Sequence, residues 1–208
     1  MRAPRPRPSG FDRLAAVVEI NLAHRTERHA GFAAEMRRVG VGTFERFDAI
    51  PHERGIVGCG LSHHAVVCRM VDEGWPTLMV CEDDARFVGD RRRLDMLLDA
   101  FLDDPQANVL CLAYHARAVS PYNRLFLRAS ASWTVACYVL KQSIAPPLLE
   151  LWERGLERTV AVDDPTHYVD RIWVELQQER VFLLPIRRGA FQAPSYSDII
   201  RREVDYGL

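Results

Sequence analysis

Leu78-Met79-Val80-Cys81-Glu82-Asp83-Asp84 is the stretch on which the reading turns. Four apolar residues in a row make a strand buried on both faces, and three carboxylates follow without a break. A strand of that kind belongs to a sheet covered by helices on both sides. In open α/β sheets, ligands gather at the carboxyl ends of the strands. Three acids crowded there repel one another unless a cation lies among them. Oxygen donors of this type suit Mg²⁺ or Mn²⁺ shared with a substrate diphosphate, where the ion acts as a Lewis acid on the departing group. The plainer reading is an acidic loop in which one Asp caps a turn.

Outward from this strand, short apolar runs alternate with amphipathic stretches. Residues 14–22 read as a buried strand, and Thr26 as the cap of a helix with Phe32, Met36 and Val39 inward and Gly40 at its end. Residues 43–49 read as a second strand, and 58–73 as a helix with Leu61, Ala65 and Cys68 on its stripe. After the acidic stretch, 91–103 carries a strong helical stripe of Leu94, Leu97, Leu98, Phe101 and Leu102. Strands are predicted over 108–114, 123–127, 133–140 and 181–184. Ser143 is placed to cap a helix, and Asp164-Pro165 to start another with Val169, Ile172, Trp173 and Leu176 inward. The alternation predicts one α/β domain over residues 11–208, Rossmann-like, with a central, mostly parallel sheet flanked by helices.

Composition excludes several classes. The 208 residues are 48% apolar and 26% charged with a net charge of -1, so no overall charge attracts nucleic acid or an anionic membrane. The longest apolar runs fall far short of the ~20 residues of a membrane helix, so no membrane insertion is expected. Residues 1–10 interleave Arg2, Arg5 and Arg7 with Pro4, Pro6 and Pro8 and read as a disordered basic tail. The five cysteines (Cys59, Cys68, Cys81, Cys111 and Cys137) show no C-x-x-C spacing and mostly sit in apolar runs. Buried reduced thiols in a cytoplasmic protein are expected.

Several short segments, in order, resemble glycosyltransferase family 25, which includes lipopolysaccharide β-galactosyltransferases and procollagen galactosyltransferases. They are Ile20-Asn21-Leu22-x-x-Arg25-x-x-Arg28, Gly58-Cys59-x-x-Ser62-His63, Glu82-Asp83-Asp84, residues 136–140, Val162-Asp163 and Ser197-Asp198-Ile199. In that family Glu82-Asp83-Asp84 corresponds to the local form of the D-x-D metal motif. The resemblance implies a GT-A fold and inverting transfer of a hexose, galactose or glucose, from a UDP-linked donor with Mn²⁺ or Mg²⁺.

Roles follow residue by residue. Asn21, Arg25 and Arg28, at a strand end and helix start, are assigned to the nucleotide, because a guanidinium forks onto phosphate. Ser62 and His63 are assigned to the site on the resemblance alone; by themselves they read as an N-cap and a packed histidine. Asp84 is expected to ligate the metal, with Glu82 supporting the ion and Glu82 or Asp83 binding the ribose. Asp163 is nominated as the base that deprotonates the acceptor hydroxyl, Asp164 as a helix cap, and Asp170 as solvated. Asp198 is a second donor or metal contact, and Tyr196 or Trp133 a stacking surface for a sugar. The acceptor is a hydroxyl on a glycan, a protein side chain or a modified base. Two rivals stand beside this reading: another metal-dependent phosphate-handling enzyme such as a nucleotidyltransferase, and a non-catalytic nucleotide-binding module.

Overall fold

The computed structural model describes residues 8–197 and 202–205. The strands are β1 (Ala16–Asn21), β2 (Glu45–Asp48), β3 (Thr77–Glu82), β4 (Ala85–Phe87), β5 (Ala107–Cys111), β6 (His115–Pro121), β7 (Phe126–Trp133), β8 (Cys137–Lys141), β9 (Val181–Pro185), β10 (Ala190–Gln192), β11 (Ser195–Ser197) and β12 (Arg202–Val204). The helices are α1 (Thr26–Arg38), α2 (Gly55–Asp72), α3 (Arg91–Leu102), α4 (Ala145–Val162) and the single turn α5 (Val169–Ile172).

Among the described residues the main sheet has the order β2-β1-β3-β8-β5-β9-β7-β6. β1 runs parallel to β2 and β3, and β5 parallel to β9, while β8 lies antiparallel between β3 and β5. β7 is antiparallel to both β9 and β6, so every strand except β8 and β7 points the same way. This is a mixed α/β sheet of the expected class, with one reversed strand at its centre.

The apolar run at β3 explains the layering. Leu78 and Val80 face a core shared with Val66, Val67 and Met70 of α2 and Leu148 and Trp152 of α4. Met79 and Cys81 face the opposite core, with Phe32 and Met36 of α1 and Leu94, Leu98 and Phe101 of α3. The four fully or nearly buried side chains Leu94, Leu97, Leu98 and Phe101 of α3 contribute about 2 kcal/mol each. Asp90 caps that helix, accepting from the Arg93 amide at 2.9 Å, worth about 1 kcal/mol.

Local expectations are corrected at several points. α2 begins at Gly55, ahead of the expected Gly58, and buries Ser62, His63, Val66, Val67 and Met70, while Leu61, Ala65 and Cys68 are only partly buried. Thr26 is the first residue of α1 and Arg25 its N-cap position, and Ser143 lies in a 3-10 turn ahead of α4 without capping it. The strands expected over 123–127 and 133–140 are instead the β6–β7 hairpin and β8. The inward residues after Asp164 are as expected in identity, but they sit on a broken series of short turns. Gly10, assigned to the tail, is buried, and its amide donates to Asp99 of α3 at 2.9 Å.

Candidate functional site

The end of β3 and the turn after it deliver three carboxylates to one end of the sheet, beside the end of β1. β3 ends at Glu82, the turn Asp83–Asp84 follows, and the chain re-enters a strand at Ala85. The Glu82 amide donates to the Ala136 carbonyl at 2.8 Å, so the acidic end is fixed against the start of β8. β1 ends beside it at Asn21, since Ile20 is in register with Glu82.

Asp83 is clamped on both oxygens: Oδ1 accepts from Arg28 Nη1 at 2.7 Å and Oδ2 from Asn21 Nδ2 at 2.7 Å. Asn21 also accepts from Arg46 Nε at 3.0 Å and donates to the Arg25 carbonyl. Asn21 is therefore committed to holding the loop together. Arg28 reaches further, donating to Asp84 Oδ2 at 3.2 Å and to the Tyr196 carbonyl at 3.2 Å. Arg25 pairs with Glu27 at 2.7 Å near the same helix start.

Glu82 and Asp84 converge instead of being clamped apart. Gln192 Nε2, from β10, donates to Glu82 Oε2 at 3.1 Å and to Asp84 Oδ2 at 3.3 Å. β10 is held there by antiparallel pairing with β4, which places Gln192 opposite Ala85. Burial, and then the Glu82 charge, push the Asp84 carboxyl up to about 7 against the pull of Arg28. Burial also raises Asp83, with Arg28 and Asn21 opposing. A buried oxygen-only donor set with excess negative charge is the environment a hard divalent cation stabilises. Glu82 and Asp84 fit such an ion on these grounds.

His63 joins the cluster from α2. Its Nε2 lies 3.4 Å from Glu82 Oε1, and its Nδ1 is 2.9 Å from the Tyr138 hydroxyl of β8. Ser62 does not join it. Its hydroxyl is fully buried, donates to the Gly58 carbonyl at 2.6 Å and accepts from the Ile50 amide at 2.8 Å. Ser62 thus pins the loop after β2.

The two neighbouring aspartates at the end of α4 have different surroundings. Asp163 is the C-cap of α4 in the left-handed conformation, φ 47°, and is largely exposed. Its carboxylate pairs with Arg54 and accepts from the Tyr168 hydroxyl, and no described contact links it to the acidic strand end. Asp164 caps the following turn as expected, accepting from the Thr166 amide at 2.9 Å.

Asp170, expected to be solvated, is partly buried and lies within electrostatic reach of Glu82. Burial and the Glu82 charge raise its carboxyl, while Arg171 and the amides of Asp170 and Thr134 hold it down. At Gly60 α2 packs closely on α4 and α5: a Cβ there would stand 2.7 Å from the Leu156 side chain and 3.1 Å from that of Val169. Thr134, which reaches Asp170, has φ 91°, a strained conformation for a β-branched residue.

Trp133 stacks with His115 and lies under the Arg171 guanidinium at 4.4 Å, while Tyr196 is exposed. Asp198 lies outside the described residues. Gln192 and Asp170 carried no sequence signal beyond a polar residue near a strand or turn. The hydrophobic stripe starting at Val169 hinted only that its neighbour sits near the core.

No family model matches the chain, and no curated protein matches it in sequence. Solved structures match it in fold. A glycosyltransferase involved in the glycosylation of the major capsid of PBCV-1 gives a TM-score of 0.51 at 9% identity, over 81% of this chain and 80% of that one. A mannose-1-phosphate geranyltransferase from Thermus thermophilus gives 0.49 at 11% identity, over 84% and 74% of the two chains. A UDP-glucose pyrophosphorylase complexed with UDP-glucose gives 0.49 at 8% identity, over 84% and 74%. At 9% identity the likeness to the first of these shows a shared α/β fold alone. Among the described residues no helix is long and apolar enough to cross a membrane.

Proposed function

We propose that this protein is a metal-dependent, inverting glycosyltransferase that moves a hexose, galactose or glucose, from a UDP-linked donor to an acceptor hydroxyl. The observation that carries the reading is the convergence of Glu82 Oε2 and Asp84 Oδ2 on one point at the carboxyl end of β3, marked by Gln192 Nε2. Asp84 and Glu82 would hold Mn²⁺ or Mg²⁺, which when bound neutralises a diphosphate leaving group. The ordered segments resembling family 25 support the finer assignment, and the fold is compatible with it.

Arg28 lies between the helix start and both aspartates, so it can turn from Asp84 to a donor phosphate with a small change of torsion. Asn21 and Asp83 keep the loop in register while that happens. Asp170 takes the role of general base in place of Asp163. It lies within electrostatic reach of Glu82, its burial raises its affinity for a proton, and the Thr134 amide donates to it. The acceptor is a glycan, a protein side chain or a modified base.

The test is a calorimetric titration of the chain with UDP, GDP and CMP and their sugars, with and without Mn²⁺. Mn²⁺-dependent binding of a UDP-hexose, followed by release of UDP in the presence of an acceptor pool, supports the reading. Release of pyrophosphate would identify a nucleotidyltransferase, and binding without turnover in any pool a non-catalytic module. No binding of any donor would sink the proposal.

A further inference from the structure

On the other side of Glu82, away from Gln192, three different donor types meet. Cys59 and His63 are four residues apart on α2 and therefore share a helix face. Cys59 Sγ is 3.8 Å from Glu82 Oε1 and His63 Nε2 is 3.4 Å from the same oxygen. The three ligand atoms all lie within 4.8 Å of one another.

As a hydrogen bond the His63 contact is long, since good N–H···O bonds fall at about 2.7–3.2 Å, while the Cys59 contact is within reach of a weak thiol donor. As edges of a coordination tetrahedron they are close to ideal. Zinc bond lengths of roughly 2.0 Å to N or O and 2.3 Å to S give edges of about 3.3–3.6 Å. The histidine is also oriented from behind. Its Nδ1 is 2.9 Å from the Tyr138 hydroxyl, which can accept the Nδ1 proton and leave the Nε2 lone pair facing Glu82. The ring is held between Tyr138, centroids 5.7 Å apart, and the edge of Trp152 at 6.2 Å.

We propose that Cys59, His63 and Glu82 Oε1 form a preassembled site for a borderline-soft divalent ion of the Zn²⁺ type, distinct from the oxygen site on Glu82 Oε2 and Asp84. Thiolate and imidazole select Zn²⁺ over Mg²⁺ or Mn²⁺, so the two faces of one carboxylate would discriminate between ions by donor softness. A three-donor set leaves the fourth corner to water or a substrate oxygen. The site does not depend on the transferase reading.

The test uses the full chain, freed of any affinity tag and of metal, titrated with Co²⁺ alone while its ultraviolet and visible spectra are recorded. One equivalent is expected to produce a thiolate-to-cobalt charge-transfer band and tetrahedral visible bands, both displaced by one equivalent of Zn²⁺. Cys59→Ser should abolish the charge-transfer band, and His63→Ala should weaken Zn²⁺ binding at least tenfold. Cys68→Ser should leave the spectrum intact. Absence of the charge-transfer band in the unsubstituted chain, or its survival in Cys59→Ser, would overturn the site whether or not any variant folds. A band without nucleotide binding would uphold the site and count against the transferase; nucleotide binding without a band would do the reverse.

Discussion

Gln192 Nε2 stands 3.1 Å from Glu82 Oε2 and 3.3 Å from Asp84 Oδ2, a bridge across 108 to 110 residues of sequence. A neutral amide thereby occupies the point at which two carboxylates would share a cation. Donation to two anionic oxygens stabilises them, but it carries no full charge. The substitution Gln192→Ala is therefore expected to take one donor from both carboxylates and to make the chain more dependent on a divalent ion. Thermal unfolding should show a larger Mn²⁺-induced rise in Tm for the variant than for the parent. An equal rise in both would mean that Gln192 is remote from the ion.

Asp84→Asn is expected to weaken Mn²⁺-dependent nucleotide binding by at least about tenfold while leaving the cation-free protein no less stable. Burial and Glu82 already disfavour the Asp84 charge, so a neutral isostere relieves the repulsion. Calorimetry with and without Mn²⁺, alongside denaturant melts, separates the two effects. A marked loss of stability would show that Asp84 matters mainly as the partner of Arg28.

Arg28→Met breaks both aspartate contacts and leaves Asp83 and Asp84 buried without that guanidinium. The expected cost is roughly 2–4 kcal/mol, read from the urea midpoint. Lysine at the same position should recover only part of it, because one ammonium cannot fork onto two carboxylates. A change below about 1 kcal/mol would reduce the pair to a surface contact.

Asp170 and Asp163 make opposite predictions. Asp170→Asn is expected to lower turnover by about 10²-fold or more with donor affinity retained. Asp163→Gly should leave turnover within a few-fold and stability within about 1 kcal/mol, since glycine accepts the left-handed cap without strain and the lost ion pair is exposed. Steady-state kinetics on both variants decide between them. If the Asp163 variant is the inactive one, the base lies on the rim.

Glu19 is fully buried in β1, its Oε2 2.6 Å from His29 Nδ1. Burial pushes its carboxyl up from 4.5 to about 7, with the His29 contact opposing. A group that holds its proton more tightly when folded stabilises the fold fully below about 4.5 and loses that contribution as the pH climbs through about 7. Glu19→Gln should therefore grow more stable relative to the parent between pH 5 and pH 8, by on the order of 2–3 kcal/mol. Urea melts at several pH values check this; a difference constant across that range would exclude the linkage.

Local pattern was enough for the layers. The apolar run of β3 required helices on both faces, and the stripes of Phe32–Met36 and Leu94–Phe101 supplied one of them correctly. The α2 stripe was misread because Ser62 and His63, polar by type, occupy its buried face, where a loop amide and the Tyr138 hydroxyl satisfy them. Strand direction was not legible: β8 is as apolar as β3 and β5, to both of which it runs antiparallel.

By itself the sequence determined the fold class and the acidic end of β3, because both rest on side-chain order along a few neighbouring residues. Only the tertiary structure decided which groups share that end. Gln192 arrives through pairing of β10 with β4, and His63 from α2 through its contact with Tyr138 of β8. Asp163, at the left-handed end of its helix, is held instead by Arg54 and Tyr168. Periodicity records which face of an element is apolar, whereas a site is assembled from polar residues whose positions are fixed by contacts distant in sequence.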